Sequence, residues 1–466
     1  MTVKVNLEPP SSYLTRGFST LHPLDIHNIA TESNPVYVWM MQRKKSDDQF
    51  AADIDVQSRL AMSAVFHMTY KRHKMYESTV TTTYLIFKTK MEGSWQELPE
   101  EMVVNVFKYL EKGDRFRASL VSKTWYRCFF SPQIWRNVDV EFTSENDENL
   151  IRLVMLFGSS IQSLCIKCHQ QSVKNRESTC KFIEALAARE NLRLSEFTMV
   201  FCGQNPLFFS GSLLVDSLKG LFTSKPTKKL SNTVNCLKVI NLSEVLITFD
   251  DTLLNIIADN YGENLECLNI QNNTLTCGIS QECMIDFIIK AKHLKHLFIH
   301  SCSFSSAAAE ELVKENRRPI EFLSLLYTRM DKFTKNITCA AWEKVNDHLP
   351  ALRVELYFDH TYPLDMTFKI MLPQVPVSKL KLCLLATVTE QILLGASYYK
   401  ETLEELEISS TPSTDLDHAL LYAAKECSKL REIHVWCPVS KETVEQILDI
   451  CSNLERHTLV YKGKAL

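Results

Sequence analysis

One apolar pattern recurs along this chain of 466 residues, from about residue 150 towards the C-terminus. In each copy, an aliphatic or similar apolar residue occupies the first, fourth and sixth positions of a short frame, which suits a strand that buries one face. The steps between successive sixth positions are 33, 43, 28, 29, 26, 29, 28, 26, 27 and 24 residues. Those positions are Ile166, Met199, Leu242, Ile270, Ile299, Leu325, Val354, Leu382, Ile408, Val435 and Leu459. Such regular spacing predicts an array of similar units, because each unit can bury its apolar face only against its neighbours.

The segments between the frames have the apolar spacing of helices. The predicted helices span 280–291, 307–315, 342–349, 389–399, 416–427 and 441–451. Thr387 and Thr414 each precede an acidic residue by three positions, which predicts that they cap two of these helices. One short strand and one helix per unit resemble the leucine-rich repeat. The resemblance implies an α/β solenoid of about eleven units over residues 150–466, a horseshoe with parallel strands inside and helices outside.

Small or polar side chains follow several frames at the same distance. Cys202, Asn273 and Cys302 each lie three residues beyond a frame, where leucine-rich repeats keep a small side chain under the turn. By this resemblance they satisfy backbone groups, and we do not predict them to be reactive or to bind metal.

A segment before the repeats contains a helix with two apolar stripes. Leu98-Pro99 marks its start, since proline suits the first helical turn. The first stripe consists of Met102, Val106 and Tyr109, and the second consists of Val103, Phe107 and Leu110. A helix that is apolar on two adjacent faces needs two partners, and a segment of about forty residues is too small to provide both.

The order of residues in this segment resembles an F-box, through which substrate receptors of SCF (Skp1–cullin–F-box) ubiquitin ligases bind the adaptor Skp1. The resemblance rests on Leu98-Pro99, Asp114, residues 120–125 and Ile134-Trp135, and it departs at Ser122, where the family often has cysteine. It implies a three-helix domain at 94–140. The residues that would build or support its Skp1-facing surface are Leu98, Pro99, Val103, Phe107, Leu110, Leu120, Val121, Trp125, Ile134 and Trp135. The alternative is an ordinary three-helix fragment with structural tryptophans.

The composition argues against several classes of function. A net charge of −3 and a pI near 6.5 predict no general attraction to nucleic acid or anionic membranes. No apolar run approaches the roughly eighteen residues of a membrane span. The 11 glycines form no phosphate-binding motif, so no nucleotide cofactor is predicted. The 15 cysteines are scattered through apolar segments, which predicts reduced thiols in a cytoplasmic or nuclear protein.

One short motif formally matches a cofactor attachment signal. Cys165, Cys168 and His169 have the C-x-x-C-H spacing of c-type haem attachment. Cys165 falls inside a predicted repeat strand, and a zinc site at these residues lacks a second ligand pair along the chain. We therefore predict no catalytic residue, no cofactor and no metal site.

A target protein is expected on the concave wall of the solenoid. Side chains at the third, fifth and seventh frame positions should point there, because side chains alternate along a strand. Exposed aromatic residues typically anchor protein interfaces, and neighbouring lysines and glutamates would select a partner of matching charge. The predicted substrate-binding residues are Phe298, Phe322, Leu326, Lys379, Lys381, Glu405, Glu407 and Trp436. The alternatives are that flanking loops cover the apolar side chains and that the charges form an ordinary solvated face.

Two regions fit neither pattern. Residues 1–93 mix prolines, basic patches and a β-prone run, and we expect them to be poorly ordered. Residues 205–229 predict a helix followed by a basic loop, or alternatively an inserted contact element. Trp135 and Val138 are predicted to pack against the segment 151–166, as a cap on the first repeats.

The resemblance implies a non-catalytic adaptor that holds Skp1, and through it a cullin–RING core, together with a protein substrate. A second hypothesis is a repeat scaffold that binds Skp1 without ubiquitin transfer. A third, an enzyme that uses a cysteine or a haem, has only the weak motif described above.

Overall fold

A computed structural model describes residues 98–110, 112–143, 147–189, 192–203, 211–223, 237–274, 276–329 and 335–461. They form two compact units, the first with residues 98–137 and 147–160 and the second with residues 138–143 and 161–461. The extension predicted at 1–93 lies outside the described residues. So does the predicted basic loop at 224–229, whereas the helix expected before it is present at Ser212–Thr223.

The first unit is helical around an aromatic core. It contains α1 Glu100–Lys108, α2 Lys112–Ser119, α3 Lys123–Phe129, a 3₁₀ helix at Pro132–Trp135 and α4 Asp147–Phe157. The buried Trp135 ring stacks on Phe157 with 4.2 Å between centroids, and its indole N–H donates to the carbonyl oxygen of Phe129 at 2.7 Å. This confirms that Trp135 packs against the segment 151–166; Val138 is buried as well. The repeat boundary predicted at residue 150 falls inside α4.

The second unit is a parallel sheet with a helix after most strands. In chain order, which is also the order in the sheet, the strands are β1 Asn137–Phe142, β2 Ser163–Cys168, β3 Glu196–Phe201, β4 Val239–Glu244, β5 Cys267–Asn269, β6 His296–His300, β7 Phe322–Tyr327, β8 Arg353–Phe358, β9 Val377–Leu382, β10 Glu405–Ile408, β11 Glu432–Val435 and β12 Arg456–His457. The helices are α5 Val173–Ala187, α6 Ser212–Thr223, α7 Asp251–Tyr261, α8 Gln281–Lys290, α9 Ser306–Leu312, α10 Cys339–His348, α11 Thr389–Tyr398, α12 Thr414–Glu426 and α13 Lys441–Ile450. Neighbouring strands from β2 to β12 pair in parallel, so the predicted α/β solenoid is confirmed.

The frame residues supply the core of this unit. Leu268, Leu297 and Leu323 occupy equivalent positions on β5, β6 and β7 and are fully buried. Helix side chains such as Met284 and Phe287 of α8 are buried too. Buried apolar side chains from the strands and the helices therefore form the core of each repeat, as expected for a repeat that buries its apolar face against its neighbours.

A capping bond recurs at the helix starts of the second unit. The side-chain oxygen of the residue before the helix accepts a hydrogen bond from the backbone N–H three residues later, which typically contributes about 1 kcal/mol. The capping residues are Ser172, Asp250, Ser280, Ser305, Thr338, Ser413 and Ser440.

The caps predicted at Thr387 and Thr414 are wrong. Ser413 caps α12, so Thr414 is already its first helical residue. Helix α11 follows Val388 without a side-chain cap. The Thr387 hydroxyl lies 3.3 Å from that of Thr411 in the next repeat, so it joins two repeats instead of capping a helix.

The residue under the turn after β5 is Asn272, one position before the predicted Asn273, which is exposed. The buried Asn272 amide donates to the carbonyl oxygens of Val245 and Ile247, both at 2.7 Å. Cys202 is likewise exposed, and Cys302 lies between the buried Ser301 and Ser303. After β5 the resemblance therefore located the polar turn correctly, but the residue under it is Asn272 instead of Asn273.

His300 lies buried at the end of β6, with its Nε2 3.2 Å from the side-chain oxygen of Asn272. The amide nitrogen of Asn272 already donates twice, so its oxygen must accept from a protonated Nε2. Burial lowers the pKa of His300 to about 4, against opposing effects of Asn272 and Asp359. The imidazole is therefore neutral near pH 7.

The His300→Gln variant tests this buried imidazole. Because the pKa of His300 is about 4 in the folded chain and about 6.5 in the unfolded chain, protons bind the unfolded chain preferentially as the pH falls. The stability that the neutral, buried imidazole contributes is therefore fully present above about pH 6.5, and it is lost as the pH falls towards 4. We expect wild type to lose about 2 kcal/mol more than His300→Gln between pH 7 and pH 5, measured by urea unfolding. His348→Gln, at an exposed position, controls for loss of a histidine; parallel pH profiles of wild type and His300→Gln would contradict the assignment.

Candidate protein-interaction surfaces

The two stripes of α1 face different surroundings. Val103 and Phe107 are fully buried in the core of the first unit. Met102 is exposed to 39% and Tyr109 to 70%, with Val106 half-buried beside them. We call Met102, Val106 and Tyr109 the outer stripe. One of the two partners required by the helix is thus the core of its own unit, and the outer stripe remains available for another.

The residues predicted to build or support a Skp1-facing surface differ in how deeply they are buried. The buried residues are Leu98, Val103, Phe107, Leu110, Trp125, Ile134 and Trp135. Leu120 and Val121 are half-buried, and Pro99 is exposed. Most of this set therefore supports the surface from within. The sequence shows Met102 and Tyr109 as part of an apolar stripe. Only the burial of side chains in the structure tells which of the two stripes faces outwards.

The open face of the sheet, which is the face predicted as the concave wall, carries aromatic residues. Phe298 and Phe322 are half-buried, and their ring centroids lie 5.3 Å apart. Trp436 is exposed to 62%, and its indole N–H donates to Glu407 at 2.9 Å. The ring of Trp436 is therefore held in place with a large apolar area free.

Leu326, predicted as an exposed contact on this face, is fully buried, so that prediction is wrong. It pairs across the sheet with His300 of β6 and Tyr357 of β8. On one side of Leu326, His300 is itself buried, and on the other side Tyr357 presents a large ring. Leu326 therefore belongs to the core between its neighbours.

Two lysines and three glutamates meet on β8, β9 and β10. The Nζ of Lys381 lies 3.1 Å from a carboxylate oxygen of Glu355, 3.4 Å from one of Glu407 and 3.9 Å from one of Glu405. The Nζ of Lys379 lies 2.5 Å from Glu405. We call Glu355, Lys379, Lys381, Glu405 and Glu407 the lysine–glutamate cluster. Four of its members are consecutive open-face residues of β9 and β10, where the strand register places Lys379 beside Glu405 and Lys381 beside Glu407.

Lys381 is the centre of this cluster. Burial by itself would lower its pKa, but Glu355 and Glu407 more than offset that effect, so the pKa of Lys381 is raised. Its Nζ also lies 5.7 Å from the ring centroid of Tyr357. The lysine therefore stays charged, and it neutralises carboxylates that are themselves buried or half-buried.

The cluster continues into a polar chain across the sheet. Glu355 accepts a hydrogen bond from the hydroxyl of Ser324, and the side-chain amide of Gln271 donates to the same hydroxyl at 2.9 Å. Glu355 occupies a predicted concave position but was not among the predicted binding residues. Its contact with Lys381 joins residues 26 positions apart, and only the register of the strands brings them together.

The haem motif does not form an attachment site. Cys165 and Cys168 are separated by an odd number of positions along β2, so their side chains point to opposite faces of the sheet. Cys168 is buried, and burial raises the pKa of its thiol to about 11. The two thiols cannot approach the same group.

Parts of this chain are similar to known proteins. Residues 95–141 match the model of the F-box-like family. F-box/LRR-repeat protein 8 of Homo sapiens is 25% identical over 368 residues, which cover 78% of this chain and 94% of that protein. F-box/LRR-repeat protein 21 of Bos taurus is 22% identical over 387 residues, covering 78% and 82%. A chain in the crystal structure of the yeast Rad7 and Elc1 complex has 14% identity and a TM-score of 0.35, covering 84% of this chain and 96% of that chain.

The chain therefore carries an F-box-like domain followed by a leucine-rich-repeat solenoid, and its homologues over most of its length are named F-box/LRR-repeat proteins. Within the described ranges, no helix is both long enough and apolar enough to span a membrane.

The Lys381→Met variant tests the lysine–glutamate cluster. It leaves three carboxylates without their shared cation, and Glu355 and Glu405 are buried. A buried charge that loses its partner typically costs about 3–5 kcal/mol, so we expect about 3 kcal/mol less stability by urea unfolding at pH 7.

Lys379→Met, on the same strand and face, is the matched control. Its side chain is 38% exposed and has one carboxylate partner, so we expect a loss of about 1 kcal/mol or less. Equal losses in the two variants would show that Lys381 is not the centre of the cluster.

Proposed function

We propose that this chain is the substrate-recognition subunit of an SCF-type E3 ubiquitin ligase. It binds Skp1 through the F-box-like domain and a target protein through the repeats, and it promotes ubiquitination and proteasomal degradation of that target. The observation that carries the proposal is the presence of two separate surfaces on one chain. The outer stripe lies within the matched segment 95–141, and the open face of the solenoid presents Trp436 beside the lysine–glutamate cluster.

The outer stripe has the chemistry of a protein contact. Met102 and Tyr109 expose large apolar side chains about two helical turns apart, and Pro99 is exposed at the start of the same helix. Burying such a side chain against a partner contributes roughly 1.5–3 kcal/mol. The buried Phe107 and Trp125 beneath hold the helix in place, with 5.7 Å between their ring centroids. This fits a role in which α1 docks as a rigid face on Skp1.

The open face has the chemistry of a target-binding wall. Trp436 resembles an interface anchor, because its ring is exposed while its N–H is already bonded to Glu407. The lysine–glutamate cluster contains three carboxylates and two ammonium groups, so it retains one net negative charge. A partner segment with an apolar side chain for Trp436 and a basic one for Glu407 would complement it.

The proposed role requires no bond-making by the chain itself. F-box/LRR proteins are generally adaptor subunits and not enzymes. A cullin–RING core recruited through Skp1 would bring the charged ubiquitin carrier, and the repeats would hold target lysines near it, which raises their effective concentration. This role places the chain in the cytoplasm, the nucleus or both.

Skp1 binding is tested with Met102→Glu. A carboxylate in the outer stripe would have to be desolvated on docking, so we expect the affinity for purified Skp1 to fall about thirtyfold or more, the effect of losing roughly 2 kcal/mol at a hot spot. Isothermal titration calorimetry measures it. The fold should survive, because Met102 is exposed.

Met155→Glu is the matched control for this experiment. Met155 is also an exposed methionine on a helix of the first unit, but it lies outside the matched segment. We expect wild-type affinity for Skp1 with Met155→Glu. An unchanged affinity with Met102→Glu would refute docking through the outer stripe.

Target binding is tested with Trp436→Ala, alone and combined with Phe298→Ala, in cells under cullin inhibition. We expect Skp1 to co-purify as before while target proteins that accumulate with wild type are lost. Tyr422→Ala, an exposed aromatic residue on α12, is the control and should retain them. An unchanged partner list would refute the open face as the target site. Partners that bind but do not accumulate under inhibition would favour the scaffold hypothesis over ubiquitin transfer.

A further inference from the structure

Three residues with metal-binding side chains lie side by side at the other end of the same sheet. Glu141 belongs to β1, His169 follows β2 directly, and Cys202 follows β3 directly. The backbone N–H of His169 donates to the carbonyl oxygen of Phe142 at 3.2 Å, and that of Cys202 donates to Cys168 at 2.9 Å. These bonds continue the ladder of the sheet beyond the strands, so the three residues belong to successive repeats at nearly the same level.

Their side chains converge. A carboxylate oxygen of Glu141, a ring nitrogen of His169 and the sulfur of Cys202 all lie within 4.8 Å of one another. The Nε2 of His169 lies 2.8 Å from the Oε1 of Glu141. In a tetrahedral zinc site, bonds of roughly 2.0–2.3 Å place the ligand atoms about 3.3–3.8 Å apart. Small side-chain rotations would therefore bring these three atoms to coordination distance.

We propose that Glu141, His169 and Cys202 form a binding site for a single zinc ion. Carboxylate, imidazole and thiolate are the ligand types that zinc takes in proteins, whereas magnesium and calcium prefer oxygen alone. The carboxylate and the thiolate balance the charge of the ion. Glu141 and Cys202 are exposed and His169 is half-exposed, so the ion has a path of entry and a fourth coordination position open to water.

Binding requires the thiolate form of Cys202. Burial and the nearby carboxylate of Glu141 raise the pKa of this thiol, while Lys167 lowers it, and the net effect is a raised pKa. The thiol is therefore protonated without the ion. Formation of the zinc–sulfur bond breaks the S–H bond and releases that proton to solvent. Zinc takes the place of the hydrogen on Nε2 of His169, and the neutral ring then carries its proton on Nδ1, so the bond to zinc replaces the hydrogen bond between His169 and Glu141.

The sequence alone did not indicate this site. Cys165, Cys168 and His169 are close along the chain but lack a second ligand pair there, so no metal site was predicted. The partners of His169 lie 28 residues before it and 33 residues after it, and the adjacency of β1, β2 and β3 in the sheet brings them together. Cys202, assigned by resemblance to a place under the turn, is exposed instead, and its thiol is therefore within reach of the ion.

The test is metal titration of the reduced, chelator-treated full-length chain. Cobalt(II) reports a cysteine ligand by a thiolate-to-metal charge-transfer band in the near ultraviolet, and zinc affinity follows from competition with a chromophoric chelator. We expect wild type to bind one more equivalent than Cys202→Ser, with loss of the band. Glu141→Gln should weaken zinc binding by about tenfold or more.

Cys339→Ser is the matched control, because Cys339 is another exposed cysteine, outside the group. It should keep the wild-type stoichiometry and band, and this separates the site from chance binding by other thiols. If Cys202→Ser and Glu141→Gln fold and bind zinc with wild-type stoichiometry and affinity, the proposal is wrong. These readouts do not involve Skp1 or any target, so the metal site can fail or hold independently of the proposed function.

Discussion

The alignment of one repeat on the next is the constraint on which the solenoid depends. The backbone N–H of His296 donates to the carbonyl oxygen of Glu266 at 3.1 Å, and that of Phe322 donates to Lys295 at 3.0 Å, at paired positions of β6 and β7. The same bond thus recurs at the same place in successive repeats. Because neighbouring strands lie about 4.8 Å apart, a fixed register sets each open-face side chain beside its counterpart. The core fixes that register, since a slip of one residue would turn every frame leucine towards solvent.

The sequence predicts the part of the fold that is periodic. Frame residues and most repeat helices are identified within a few residues because each depends on a local apolar spacing. The failures at Thr414 and Asn273 are displacements by one residue, since Ser413 caps α12 and Asn272 lies under the turn. The failure at Leu326 has another cause: its neighbours in the sheet cover it, and the local apolar spacing does not show this. The F-box-like segment was identified from its residue order, but the distinction between buried Phe107 and exposed Tyr109 needed the core around them.

The charged groups on the open face are brought together from positions that are distant along the chain. Lys381 neutralises Glu355, Glu405 and Glu407 only because β8, β9 and β10 are aligned. A surface of fixed charges would act mainly by selecting and orienting a partner with complementary charges. Trp436, anchored on Glu407, is the member of this surface with apolar area to bury.

The F-box-like domain completes its core with a helix from beyond the matched segment. Residues 95–141 contain Trp135, but the ring that stacks on it belongs to Phe157 of α4. Phe157 also contacts Phe129, with 5.9 Å between centroids, so it covers two of the rings that hold α1 and α3 together. A fragment that ended at residue 141 would expose these rings to water. The first helix after β1 is therefore part of the folding unit that presents the outer stripe, although by chain position it belongs to the repeats.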